Sequence, residues 1–183
     1  MKVILGLDIS SSCCGYAFLD VDKCIILEYG NIKVLKKDKY SIVERLDNLS
    51  KKIEELCTKW QPEYVVIEEI SKFMAHRSSA NTMITLGIFN RVCALKTYQI
   101  TNKIPIFYAP ISIRSKIKKF MKLDDKIHKE DMPNIIKQFF GSDKFNIKMK
   151  KNNKTIDTST YDEADAVAVA FAHYIELQMV LNK

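Results

Sequence analysis

The chain has 183 residues, 47% of them hydrophobic, enough for one domain with a real core and too few for two sizeable ones. No apolar run approaches the ~18 residues that span a bilayer, and the start Met1-Lys-Val-Ile-Leu-Gly-Leu-Asp8 meets an acid too early for a secretory leader, so a soluble cytoplasmic protein with no membrane partner is expected. Five cysteines without C-x-x-C spacing argue against a zinc site or a disulfide framework, and 29 Lys plus Arg against 22 Asp plus Glu, a formal +7, suit a polyanionic partner without requiring one.

Lys2 to Ser10 reads as a strand covered on both faces, and Asp8 is its anomaly. A carboxylate in such a strand is costly to bury unless it is paired or bound to a metal. Alone, it would be read as a strand-end acid capping the turn Ser10-Ser-Ser12. The serines and Gly15 are expected to turn the chain into two further strands, Gly15 to Asp20 and Ile25 to Tyr29, which makes a three-stranded antiparallel start. Ile42, Val43, Leu46, Leu49, Ile53 and Leu56 fall at helical spacing, with Ser41 and Glu44 as a capping pair and an end near Trp60, before Pro62. Tyr64 to Glu68 is then a buried strand that again ends on an acid. As a strand that follows a helical crossover it should run parallel to the first, putting Asp8 and Glu68 at one carboxyl edge.

A loop from Ile70 to Arg77 leads to a second helix, Ser78 to about Tyr98, expected to turn Met83, Leu86, Ile88, Val92 and Leu95 inward, with Gly87 marking close packing. A short strand, Ile104 to Tyr108, stops at Pro110. The basic segment Ile113 to Lys122 and the stretch Lys129 to Phe140 read as two short helices around Asp124-Asp125. Residues 142–158, rich in Lys, Asn, Asp and Thr, read as a mobile loop. The final helix, Asp162 to Leu177, is rich in small residues suited to packing on a sheet. Acids in its first turn would be favoured by the helix dipole, but Asp162 and Asp165 lie at i and i+3 on one face, and their expected neighbours are Asp8 and Glu68.

Four carboxylates gathered in this way cannot all stay ionised at neutral pH unless cations sit between them, and oxygen-only ligands select hard ions, Mg2+ or Mn2+. Two such ions roughly 4 Å apart suit in-line phosphodiester hydrolysis. No Ser-His-Asp order and no phosphate-binding G-x-x-x-x-G-K-[ST] loop competes.

Gly6-Leu-Asp-Ile-Ser10, Val66-Ile-Glu68, Phe73-Met-Ala75 and Asp162-Glu-Ala-Asp-Ala-Val-Ala168, in that order and spacing, resemble the RuvC-type Holliday junction resolvases of the RNase H-like nucleases. The resemblance runs through most of the chain. It implies an α/β fold, a single nuclease domain over 1–183 built on an RNase H-like mixed sheet, three antiparallel strands followed by parallel strands, flanked by helices. It also implies that Asp8, Glu68, Asp162 and Asp165 are the catalytic, metal-binding tetrad for two Mg2+ ions, with Mn2+ able to substitute and Asp8 shared between them; Glu69 is held in reserve. Phe73 matches the aromatic that stacks on a base at the opened junction, against the plainer reading of a loop plug. Lys118 and Lys129, with Lys116 and Lys119 beside them, match DNA-holding lysines, against the plainer reading of a solvated helix face.

The implied partners are branched DNA, four-way junctions above all, and a second copy of the chain, since resolution needs two symmetrical nicks. A surplus of apolar surface on the second helix, at Met83, Leu86, Phe89 and Val92, could form that interface. The chain departs from the family at Leu123 to Ile127, over 142–158, which looks like an insertion, and in the loop after Ile70. Substrate choice among junctions, flaps and RNA/DNA hybrids is therefore open, and a lysine- and asparagine-rich, divergent chain suggests a bacteriophage form. A non-catalytic junction-binding protein is a further alternative. An actin-like or sugar-kinase-type ATPase is another, suggested by the opening Gly-Leu-Asp and opposed by the presence of only five glycines.

Overall fold

The computed structural model describes residues 1–70, 79–151 and 154–181. Five strands form one sheet in the order β3-β2-β1-β4-β5. β1 (Val3–Ile9), β2 (Cys13–Asp20) and β3 (Ile25–Lys33) are antiparallel neighbours, and β4 (Tyr64–Glu68) and β5 (Ile106–Tyr108) continue the sheet in parallel on the other side of β1. This is the mixed α/β sheet expected from the sequence. β2 begins two residues earlier than expected, because Ser10 closes the turn by itself: its hydroxyl accepts the Cys13 amide at 3.0 Å and donates to the Cys13 carbonyl at 2.8 Å. Gly15 therefore lies inside a strand, not in the turn.

Alternation along the strands divides the apolar residues into two cores. One face, with Ile4, Ala17 and Val66, is covered by α5 (Thr158–Leu181) together with α3 (Pro110–Met121) and α4 (Met132–Phe140). The other, with Leu5, Leu7, Phe18 and Ile67, is covered by α1 (Ile42–Trp60) and α2 (Ala80–Thr101). α1 keeps its expected limits: Ser41 and Glu44 form a full capping box, and Gln61 takes up the left-handed conformation before Pro62.

α2 departs from expectation in phase. Its buried residues are Phe89, Asn90, Cys93, Ala94 and Thr97, whereas Ile84, Ile88 and Leu95 are exposed. Apolar residues occur all round this helix, so periodicity could not set which side faces in. Gly87 faces open space, with nothing within 4 Å of the point a Cβ would occupy. Pro110 is not only a strand stop but opens α3 in its first turn, where its missing N–H is harmless.

The segment read as a mobile loop, 142–158, has fixed points among its described residues. Phe145 is fully buried against Tyr29, ring centres 5.0 Å apart, and Met149 and Ile156 form an antiparallel bridge. α5 starts at Thr158, a turn before the sequence reading placed it, with Asp157 accepting from the Ser159 amide and hydroxyl.

Candidate metal centre

β1 and β4 pair in parallel through Leu7 and Ile67, so the next residues, Asp8 and Glu68, stand side by side at the carboxyl edge. Two residues before each, on the same strand face, are Gly6 and Val66. α5 comes down on this face at very short range. A methyl added at Gly6 would lie 2.4 Å from the Ala166 carbonyl oxygen, and one at Gly15 would lie 2.2 Å from the Asp162 carbonyl oxygen. Gly15 is the cross-strand partner of Asp8. The two glycines are thus the clearance that lets Asp162 and Asp165 reach the strand acids, and Ala166 and Ala170 supply it from the helix side. Because α5 starts at Thr158, no acid lies in its first turn, and the helix dipole does not account for Asp162 or Glu163.

The acids act on one another electrostatically. Burial, then the Asp165 charge, push the Asp8 carboxyl up to about 7, with Asp162 adding to the rise. Burial, then the charges of Asp8 and Asp165, push Glu68 up to about 8. Asp165 is raised as well, chiefly by burial. The cation in this group is Lys129, whose ammonium lies 3.0 Å from Asp165 and also draws Asp8 and Glu68 down. Arg114 on α3 acts on Glu68 and Asp165 in the same sense. Sequence reasoning missed Arg114; its one signal was a lone arginine in a run of lysines. Cys13, the first residue of β2, has its thiol pushed up to about 12 by burial, by the Asp162 charge and by its hydrogen bond to Asp162.

The donor set is oxygen only, and among the described residues its like charges are offset by Lys129 and Arg114, an arrangement that suits hard divalent cations. Among the described residues no three acids are closed up at ligating distance.

The remaining expected residues separate. Glu69, one residue beyond Glu68, falls on the opposite face and takes the Arg91 guanidinium at 2.7 and 2.9 Å, so it stands outside the acidic group. Lys116 is ion-paired to Glu176 and lies 4.5 Å from the Tyr108 ring centre, turned toward a residue about 16 Å along α5 from Asp165. Lys118 donates to the Asp124 carbonyl at 2.8 Å, and Lys119 is exposed at the end of α3. Phe73 lies outside the described residues.

The family model described as crossover junction endodeoxyribonuclease RuvC matches residues 4–173, a span that holds all four acids. The chain belongs to the RuvC family. Among its RuvC relatives, that of Endomicrobium trichonymphae is 30% identical over 175 residues, covering 93% of this chain and 80% of the relative. The RuvC of Campylobacter jejuni is 29% identical over 179 residues, 96% of each chain. In fold the chain is similar to Thermus thermophilus RuvC in complex with a Holliday junction substrate, with a TM-score of 0.72, 16% identity, and coverage of 98% of this chain and 96% of the other. It is also similar to a yeast mitochondrial Holliday junction resolvase, with a TM-score of 0.65, 15% identity, and coverage of 99% and 80%. RuvC membership thus agrees with the resemblance read from the four sequence stretches, and with a nuclease rather than an ATPase. No helix among the described residues is long and apolar enough to cross a membrane.

Proposed function

We propose that this chain is a Holliday junction resolvase whose chemistry is divalent-cation-dependent hydrolysis of a phosphodiester, performed at Asp8, Glu68, Asp162 and Asp165. The observation that carries the reading is the convergence of these acids from β1, β4 and α5 around the Lys129 ammonium. They would hold two Mg2+ ions, or Mn2+. Bound there, the ions would acidify a water and polarise the phosphoryl oxygen.

The chain's own part is positional and electrostatic. β1 and β4 fix two carboxylates on a rigid sheet edge, and the close seam of α5 fixes the other two. Lys129, half-exposed, can leave Asp165 for a phosphate oxygen, and Arg114 supplies a second positive charge on the same side. In the reaction the water oxygen bonds to phosphorus and the bond from phosphorus to the 3′-oxygen breaks. The leaving oxygen takes up a proton, which yields a 5′-phosphate and a 3′-hydroxyl. Lys118 and Lys119, at the end of α3, would bind phosphates further from the break, and Phe73 would stack on an unpaired base.

Two symmetrical nicks need two sites, which supports a homodimer. The exposed apolar residues Ile84, Ile88 and Leu95 lie on one face of α2 and suit an isologous contact. Phe89, fully buried, belongs to the core and not to that contact.

The test is cleavage of matched four-way junctions, three-way junctions, flaps and linear duplex in Mg2+, with Asp8→Asn and Asp165→Asn as controls. Paired symmetrical nicks in the four-way junction, lost in both variants while binding persists, are expected. Equal cutting of flaps and three-way junctions would make the enzyme a general debranching nuclease. Full activity of either variant would refute the site.

A further inference from the structure

A groove of about 1340 Å3 opens beside Asp162 and runs away from Glu68, past Cys13 and the β2–β3 end to the turn at residues 36–38. Its far wall is the start of α5 with Lys148 and Asp157, beside the bridge between Met149 and Ile156. Lys148 and Asn31 both bond the Glu163 carboxylate there, at 2.5 and 3.0 Å, so that wall is tied to the residue next to Asp162. Its floor is fixed as well: Arg45 donates to the carbonyls of Leu35 and Ser11, which holds the segment after β3 onto the β1–β2 turn. The Val34 amide donates to the Ser12 carbonyl at 3.0 Å.

Three exposed lysines line this groove, Lys33, Lys36 and Lys37, and among the described residues none of them is in an ion pair. The contrast with the α1–α2 side is sharp. There Lys51, Lys52, Lys59, Lys96 and Lys103 each meet an acid within 3.0 Å. Of the acids of the groove, Glu163 is paired with Lys148 and Asp162 belongs to the acidic group, which leaves Asp38 and Asp157 against the three lysines. The volume exceeds the roughly 300–1,000 Å3 of small-molecule pockets, and the walls are charged where such pockets are apolar. A channel with a pinned floor, three lysines outside any ion pair among the described residues and Asp162 at one end fits a polyanionic chain.

We propose that this groove binds the phosphodiester backbone of the DNA strand that leaves the cleavage site on the side away from Glu68, with Lys33, Lys36 and Lys37 each facing a phosphate. The proposal rests on the nuclease reading only for the direction of the strand, because its binding test stands without cleavage. Lys33→Ala/Lys36→Ala/Lys37→Ala in the full chain is compared with Lys51→Ala/Lys52→Ala/Lys59→Ala, which removes the same charge from α1. Binding of a labelled four-way junction is measured across a salt series in Ca2+ or EDTA, and cleavage separately in Mg2+. Three phosphate contacts predict that the groove variant loses about 2.7 from the slope of log affinity against log salt and binds about tenfold or more weakly near physiological salt. The α1 variant is expected to keep the wild-type slope. An unchanged slope in the groove variant, or an equal loss in the α1 variant, would overturn the proposal. If the wild type cut no branched substrate while the slope changed as expected, the groove would stand and the nuclease reading would fall.

Discussion

Asp8 and Gly15 face each other across the β1–β2 ladder, and the residue without a side chain is what allows a helix to stand beside the one with the charge. The Asp162 backbone occupies the space where a Cβ at position 15 would be, 2.2 Å from its carbonyl oxygen. Gly6 does the same two residues along on the same face. The approach of the helix acids to the strand acids is therefore set by packing between backbones.

Gly15→Ala is expected to push α5 off β2. Overpacking of this kind costs about 1–3 kcal/mol, read as a lower denaturant midpoint, and cleavage should fall further than that loss explains because Asp162 moves with the helix. A variant with wild-type midpoint and wild-type cutting would show that the close approach is not needed.

Without divalent cations, stability should fall as pH rises. Asp8 and Glu68 both titrate higher in the folded chain, about 7 and about 8, than the ordinary carboxylate value of roughly 4 in the unfolded one. Between those values the folded chain holds more protons, so the slope of stability with pH is negative and levels off above the upper one. Melting temperatures in EDTA should drop from about pH 4 to about pH 8, and Mg2+ should restore them most at the alkaline end. A profile in EDTA that is flat or rises over that window would contradict the crowded acids.

Lys129→Gln removes the ammonium beside Asp165. Loss of one preorganised charge at a reacting phosphate typically costs on the order of 100-fold in rate, and that loss is expected here with junction binding changed far less. The same variant should show a steeper decline of stability with pH in EDTA, since Lys129 draws Asp8, Glu68 and Asp165 down. Unchanged slopes would remove Lys129 from the site.

Lys148→Ala leaves the buried Glu163 with Asn31 alone. Lys148 is about half-exposed, so solvent screening brings the cost below that of a fully buried broken pair, to about 1–2 kcal/mol. Adding Glu163→Gln should recover most of it, and a double-mutant cycle by denaturant unfolding measures the coupling. Additive effects would mean that the pair does not hold Lys148 to α5.

Much of the site was legible because each acid breaks a pattern. Asp8 interrupts one otherwise apolar strand and Glu68 ends another, and Asp162 and Asp165 share a helix face that small residues mark as packed. What escaped were features with no pattern to break. Gly15 follows a serine-rich turn and reads as part of it; only the sheet register shows that it lies opposite Asp8. The start of α5 is written in Thr158-Ser-Thr160 after a polar stretch, so from sequence the helix reads as opening on its acids. α2 is apolar on every side, and its phase was set by the sheet it met. Phe145 is a single aromatic in a lysine- and asparagine-rich segment, and its burial depends on Tyr29, more than 100 residues earlier.

The seam formed by Gly6, Gly15, Ala166 and Ala170 behaves as a calliper whose opening is the distance from the acids on the helix to those on the strands. Variation that thickens it by one methyl would show in a heat-resistance screen as no more than the loss of about 1–3 kcal/mol, while the acids on the helix would no longer meet those on the strands. Lineages that drift at these positions would keep the fold and lose the reaction first, so a natural relative with a bulkier residue at either glycine would be expected to survive as a DNA-binding remnant.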